Sequence, residues 1–121
     1  MAEKLVIMCT HGPEDPERAT IPFVMATAAQ AADVEVVIGL QADGVRLAAK
    51  GIADGMAAPS FPMLKDLFNA YFEAGGQLLV CGPCVQSRKI DPKKDFVDGA
   101  SIVGAATFVK HCTEATSVLV Y

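Results

Sequence analysis

Five short apolar runs, spaced too far apart to be joined by hairpins, restrict what this chain can become. They are Leu5-Val6-Ile7-Met8-Cys9, Val34-Glu35-Val36-Val37-Ile38, Gln77-Leu78-Leu79-Val80-Cys81, Ala100-Ser101-Ile102-Val103 and Ser117-Val118-Leu119-Val120-Tyr121. Most are β-branched and nearly continuously apolar, the pattern of strands covered on both faces. The segments between them suit crossover helices. The expected fold is α/β, a three-layer α/β/α sandwich on a mostly parallel five-stranded sheet. The chain has 121 residues and shows no linker, repeat or low-complexity stretch. Residues 1–121 therefore read as a single domain, large enough to bury a core without disulfide or metal support.

Helix signals fill the connections. Asp15-Pro16-Glu17 combines an acidic cap, a proline in the first turn and an acid beside the positive end of the helix dipole. Pro22 interrupts that helix, so a bend near Arg18-Ala19 or a second start capped by Thr20 is expected. Beyond it, Ile21, Val24, Met25, Ala28 and Ala32 share a face. A short helix from Gly44 to Lys50 and a loop over Ala53–Ser60 follow. Leu64, Leu67, Phe68, Tyr71 and Phe72 mark a further helix that stops at Gly75-Gly76. Its apolar stripe is wide: a core helix accounts for the spacing, and contact of Phe61, Tyr71 or Phe72 with another subunit is the alternative.

The net charge is −4, which disfavours a phosphate-tracking, nucleic-acid-binding surface. No run of about 18 apolar residues is present to span a membrane. Met1-Ala2-Glu3-Lys4 leads directly into the first strand without a signal-peptide layout, so the expected location is cytoplasmic and the four cysteines are expected to be thiols.

The most informative stretch is Cys81-Gly82-Pro83-Cys84. It ends the third strand, and Pro83 suits the opening of a helix. Strand–turn–helix geometry puts both sulfurs at the carboxyl edge of the sheet, where open α/β sheets place their sites. Backbone N–H groups at a helix start favour thiolate over thiol, as nucleophilic attack, disulfide exchange and persulfide formation all require. A metal site would need Cys9 and His11 to join the pair, since no second CxxC knuckle follows. An inert, buried CxxC is the other alternative. His11 is a candidate acid or base near the sulfurs. Cys9 reads as a buried strand-end residue. Arg88 and Lys89 read first as charges at a helix C-terminus, with Asp91-Pro92 stopping the helix, and second as a receiver for an acidic partner. His111 and Cys112 fall late in the last helix, toward the opposite edge. Neither glycine-rich phosphate motif occurs, so no nucleotide or other organic cofactor is expected.

These segments together resemble the DsrE/DsrF-like family of sulfur-relay proteins, which includes the TusD and YchN types. The resemblance rests on Thr10-His11-Gly12-Pro13-Glu14-Asp15-Pro16-Glu17-Arg18-Ala19, on Gln41-Ala42-Asp43-Gly44-Val45, and on a cysteine closing strand three before a short helix with a basic end at Arg88. It implies persulfide sulfur carried at Cys81, homo-oligomers such as trimers or hexamers, and sulfur donor and acceptor proteins as partners. Gly82-Pro83-Cys84 departs from the small apolar residues that mostly follow this cysteine in sulfur-carrying members, so the reactive sulfur is either Cys81 or Cys84. The tetrapeptide also matches thioredoxin, but it comes late, follows Val80 rather than tryptophan, and has no facing proline. The alternative function is an oligomeric binding, regulatory or redox-sensing protein with a dithiol and no sulfur transfer.

Overall fold

A computed structural model describes residues 2–121. The strands are β1 (Lys4–Cys9), β2 (Glu35–Leu40), β3 (Gln77–Cys81), β4 (Ala100–Val103) and β5 (Ser117–Val120). All pair in parallel in the order β4-β3-β2-β1-β5. The helices are α1 (Pro16–Ala31), α2 (Leu64–Glu73), α3 (Gly82–Ser87) and α4 (Ala105–Glu114), with 3-10 helices at Ala42–Ala48 and Ala53–Gly55. The α/β sandwich with a parallel five-stranded sheet is as the sequence predicts. No helix among the described residues is long and apolar enough to cross a membrane.

Handedness decides which face each helix covers. From β1 to β4 the chain steps across the sheet in one direction, so right-handed crossovers put α1, α2 and α3 on one face. The return from β4 to β5 runs the opposite way and puts α4 on the other. The first face carries the main core, with Ile7, Ile38, Leu78 and Val80 packed beneath Phe23, Leu64, Phe68, Tyr71 and Val85. The second face is thin. Phe108 of α4 packs with Val6, Met8, Val37 and Leu79, filling the space that a side chain at Gly39 would take. Val109, Val118 and Val120 remain exposed.

Three helical segments differ from the sequence expectation. α1 is continuous through Pro22, which is buried, and Thr20 caps no second start. Its hydroxyl instead donates to the Pro16 carbonyl at 2.6 Å. The buried face is Ala19, Thr20, Pro22, Phe23 and Ala26, while Met25 is 40% exposed. Burial of the ring and of Phe23 offsets the hydrogen bond that the proline cannot donate. Asp15 caps the start as expected, accepting from the Arg18 N–H at 3.2 Å. The segment after β2 starts at Ala42 and is a 3-10 helix, and α3 stops at Ser87, well before Asp91-Pro92.

The wide stripe of α2 belongs to the core. Tyr71 is fully buried, edge-on to Phe23 with ring centroids 5.8 Å apart, and Phe72 packs at the core margin. The Tyr71 hydroxyl accepts from the Ile38 N–H at 3.1 Å. It has the Val36 and Gln77 carbonyls as partners for its single proton. It thus bridges β2 and β3 where their ladder begins, and burial pushes its phenol up. Replacing Tyr71 with Phe keeps the ring but strands buried backbone groups, so a loss of about 1–3 kcal/mol is expected in urea unfolding. An unchanged midpoint would mean that the hydroxyl does not brace the strands.

Candidate functional site

Parallel strands deliver their carboxyl ends to one edge, where β1 ends at Cys9, β2 at Leu40 and β3 at Cys81. Cys81 is also the N-cap of α3, with Gly82 and Pro83 in its first turn. The half-buried sulfurs of Cys81 and Cys84 are free thiols, with their Sγ atoms 2.8 Å apart. A disulfide would need them at about 2.05 Å, so closure requires only a small shift.

The two sulfurs have different surroundings. Cys81 packs against both apolar clusters. Burial first, and then Cys84, push its thiol up, while the Cys84 N–H and the Arg88 charge pull it down by less. The helix-start N–H thus favours thiolate at Cys81, as the sequence suggests, but burial outweighs it. α3 has only six residues, too few for a large macrodipole. Cys84 instead receives a backbone donor from another element: the Ala42 N–H points to its Sγ at 3.3 Å.

Ala42 makes that contact from a left-handed conformation, φ +50°, which costs a non-glycine residue about 1–2 kcal/mol. The neighbouring packing holds it there. A side chain at Gly44 would come 2.2 Å from the Cys9 carbonyl oxygen, and one at Gly12 would come 2.3 Å from that of Asp43. The 3-10 helix is thus pressed against the end of β1. From its first turn, Asp43 Oδ1 accepts from Arg88 Nε at 3.0 Å and from Arg46 Nε at 3.4 Å. The Arg88 hydrogen bond is the largest of the influences holding the Asp43 carboxyl below its ordinary range. Arg88 also donates through Nη1 to the Cys84 carbonyl at 3.3 Å. It therefore caps the C-terminus of α3, as the sequence suggests, and also reaches across to a second element.

Arg88 is thus brought to the sulfur pair, whereas His11 and Cys9 are not. β1 lies two strands from β3, about 10 Å away. His11 Nδ1 faces Thr10 Oγ1 at 3.2 Å, and Thr10 Oγ1 donates to the Tyr121 carbonyl at 2.7 Å. Cys9 is buried and donates its S–H to the His11 carbonyl at 3.3 Å. Among the described residues, no three His, Cys, Asp or Glu side chains converge as metal ligands. His111 accepts from Lys4 Nζ at 2.9 Å, at the amino edge. Sequence reasoning assigned no role to Ala42 and Asp43. Ala42 acts through its backbone, and the partner of Asp43 lies 45 residues away; the Gln41–Val45 motif was the available signal.

Burial, with a smaller contribution from Glu14, pushes the Cys9 thiol up to about 11, while the backbone N–H of His11 pulls it down by less than burial raises it. A raised thiol stabilises the fold below the unfolded value, near 9, and that contribution is lost as the pH climbs towards 11. The decline is about 1.4 kcal/mol per pH unit across that window, and Cys9→Ala should remove it from urea titrations. Timed alkylation at neutral pH should leave Cys9 unmodified while the other three cysteines react. Labelling of Cys9 at the rate of Cys112 would contradict its placement.

The model of the DsrE/DsrF-like family matches residues 3–121. The chain is 33% identical over 112 residues to the Methanocaldococcus jannaschii protein MJ0760, covering 93% of this chain and 40% of that one. It therefore spans about two-fifths of that relative. It is 26% identical to MK0008 of Methanopyrus kandleri, covering 97% of this chain and 93% of the relative. Its fold is similar to the crystal structure of the YchN protein from E. coli, with a TM-score of 0.81 at 17% identity, covering 98% of this chain and 99% of that one. It is also similar to MTH1491 from Methanobacterium thermoautotrophicum, with a TM-score of 0.77 at 14% identity and the same coverage of 98% and 99%. The match of the family model along almost the whole chain, joined to this parallel sheet, makes the protein a member of the DsrE/DsrF-like family.

Proposed function

We propose that this protein is a cytoplasmic sulfur-relay protein that carries persulfide sulfur on Cys81, with Cys84 as the neighbouring thiol that limits the lifetime of the load. The observation carrying this reading is the pair of free, half-buried thiols at the end of β3, Sγ to Sγ 2.8 Å. Cys81 there is the position at which the family resemblance implies bound sulfur. The two sulfurs are half-buried at the carboxyl edge of the sheet, a position that a protein partner can approach. In loading, the Cys81 sulfur attacks the outer sulfur of a donor protein's persulfide. A new S–S bond forms at Cys81, the donor's S–S bond breaks, and the Cys81 proton passes to the departing donor thiolate. Handing on repeats the exchange with an acceptor thiol.

A homo-oligomer is part of the same reading. The support is the thinly covered α4 face, where Val109 is 60% and Val120 69% exposed, since contiguous apolar patches are unusual on soluble monomers. Of the three aromatic candidates for such a contact, Tyr71 is fully buried in the core, while Phe61 and Phe72 are half-buried. Sedimentation should give a species larger than the monomer at micromolar concentration, and a Val109→Glu/Val120→Glu variant should shift it towards monomer. A wild type that sediments as a clean monomer would remove this part of the reading.

A regulatory dithiol is the second reading, favoured by the same 2.8 Å approach, which brings the pair near disulfide geometry. Intact mass after incubation with a small persulfide donor separates the two. The carrier reading predicts a one-sulfur adduct on Cys84→Ser, longer-lived than on wild type, and none on Cys81→Ser. Failure of both variants to take up sulfur, with reversible disulfide formation in the wild type, would favour the regulatory dithiol.

A further inference from the structure

We infer that Asp43 and Arg88 are positioning residues that hold the Ala42 N–H on the Cys84 sulfur and so set how fast that sulfur reacts with an electrophile. The contacts form a closed loop between two elements distant in sequence. Ala42 donates to Cys84 Sγ at 3.3 Å. Its neighbour Asp43 accepts from Arg88 Nε at 3.0 Å, and Arg88 Nη1 returns to the carbonyl of Cys84 itself at 3.3 Å. The arginine fork thus fixes the distance between the 3-10 helix and α3, which is the distance on which the N–H···S contact depends. An N–H donor stabilises a sulfur anion more than a neutral thiol, so the contact bears on the reactivity of Cys84.

The charged and titratable groups around Cys84 are Cys81 at the end of β3, Arg88 at the end of α3, and Asp43 and Arg46 on the 3-10 helix. These charges allow a test with opposite signs. If charge alone acted on Cys84, removing the negative Asp43 would make its thiolate easier to form and removing either arginine would make it harder. If the clamp acts, losing Asp43 or Arg88 has the same effect, because each loss frees the Ala42 N–H. Arg46, which pairs with Asp43 but is not part of the loop to α3, should then have little influence.

The experiment measures alkylation of Cys84 against pH in a Cys81→Ser background, with Cys112 as the internal reference and Cys9 as the reporter of unfolding. It needs no sulfur donor, so its outcome is separate from that of the carrier proposal. At neutral pH, Asp43→Asn and Arg88→Gln should each slow alkylation of Cys84 roughly tenfold, as loss of one hydrogen bond to an anion implies. Arg88→Lys, which keeps the charge without the fork, should recover only part of the rate, and Arg46→Gln should leave it unchanged. Faster alkylation in Asp43→Asn, or slowing in Arg46→Gln equal to that in Arg88→Gln, would overturn the clamp in favour of simple charge. If Asp43→Asn unfolds, as labelling of Cys9 would show, the comparison of Arg88→Lys with Arg46→Gln decides the question.

Discussion

The close seating of the 3-10 helix against the end of β1 is the constraint on which the sulfur site depends. Gly44 lies where any side chain would strike the Cys9 carbonyl, and Gly12 faces the carbonyl of Asp43 in the same way. With those two positions fixed, Ala42 is held in its left-handed conformation, φ +50°, and Asp43 projects toward Arg88. The sulfurs are supplied by β3 and α3, but what surrounds Cys84 is set by the chain following β2. The strained residue is thus the one whose N–H meets the Cys84 sulfur.

A second constraint is handedness. Right-handed crossovers load three helices on one face and leave α4 alone on the other, anchored by Phe108. Cys81 stands where the two faces meet, packed against both clusters. It is raised by the burial this entails, while Cys84 belongs to the well-covered side. The difference between the two sulfurs thus follows from the topology of the sheet as well as from their immediate neighbours. The same topology leaves apolar side chains of β5 and α4 exposed, which ties the proposed oligomer to the thin layer.

The parallel sheet was legible because strands covered on both faces have continuous apolar runs, and the Asp15 cap and the Gly75-Gly76 stop were legible because capping chemistry is local. The CxxC was legible as a strand-to-helix turn. What escaped the sequence was tertiary. Phe23 rather than Met25 faces the core because buried Pro22 allowed α1 to continue straight through. The breadth of the α2 stripe reflects the burial of Tyr71 as a brace between β2 and β3, which periodicity does not distinguish from an interface. Cys9 closes β1 at the right edge of the sheet but two strands from the pair, and His11 follows it in the loop, turned to Thr10. The Ala42 donor carries no side-chain signal at all.

The central claim, that the sulfur pair carries sulfur and that Cys81 holds it, is tested most directly by locating sulfur on the unmutated protein. The protein would be loaded with isotopically labelled sulfane sulfur, blocked with an alkylating agent and digested, and the peptide containing Cys81 and Cys84 fragmented in the mass spectrometer. The account predicts one labelled sulfur on the fragment bearing Cys81, with Cys9 and Cys112 unlabelled. Label confined to Cys9 or Cys112, or absent from all four cysteines while the donor remains active toward a free thiol, would contradict it.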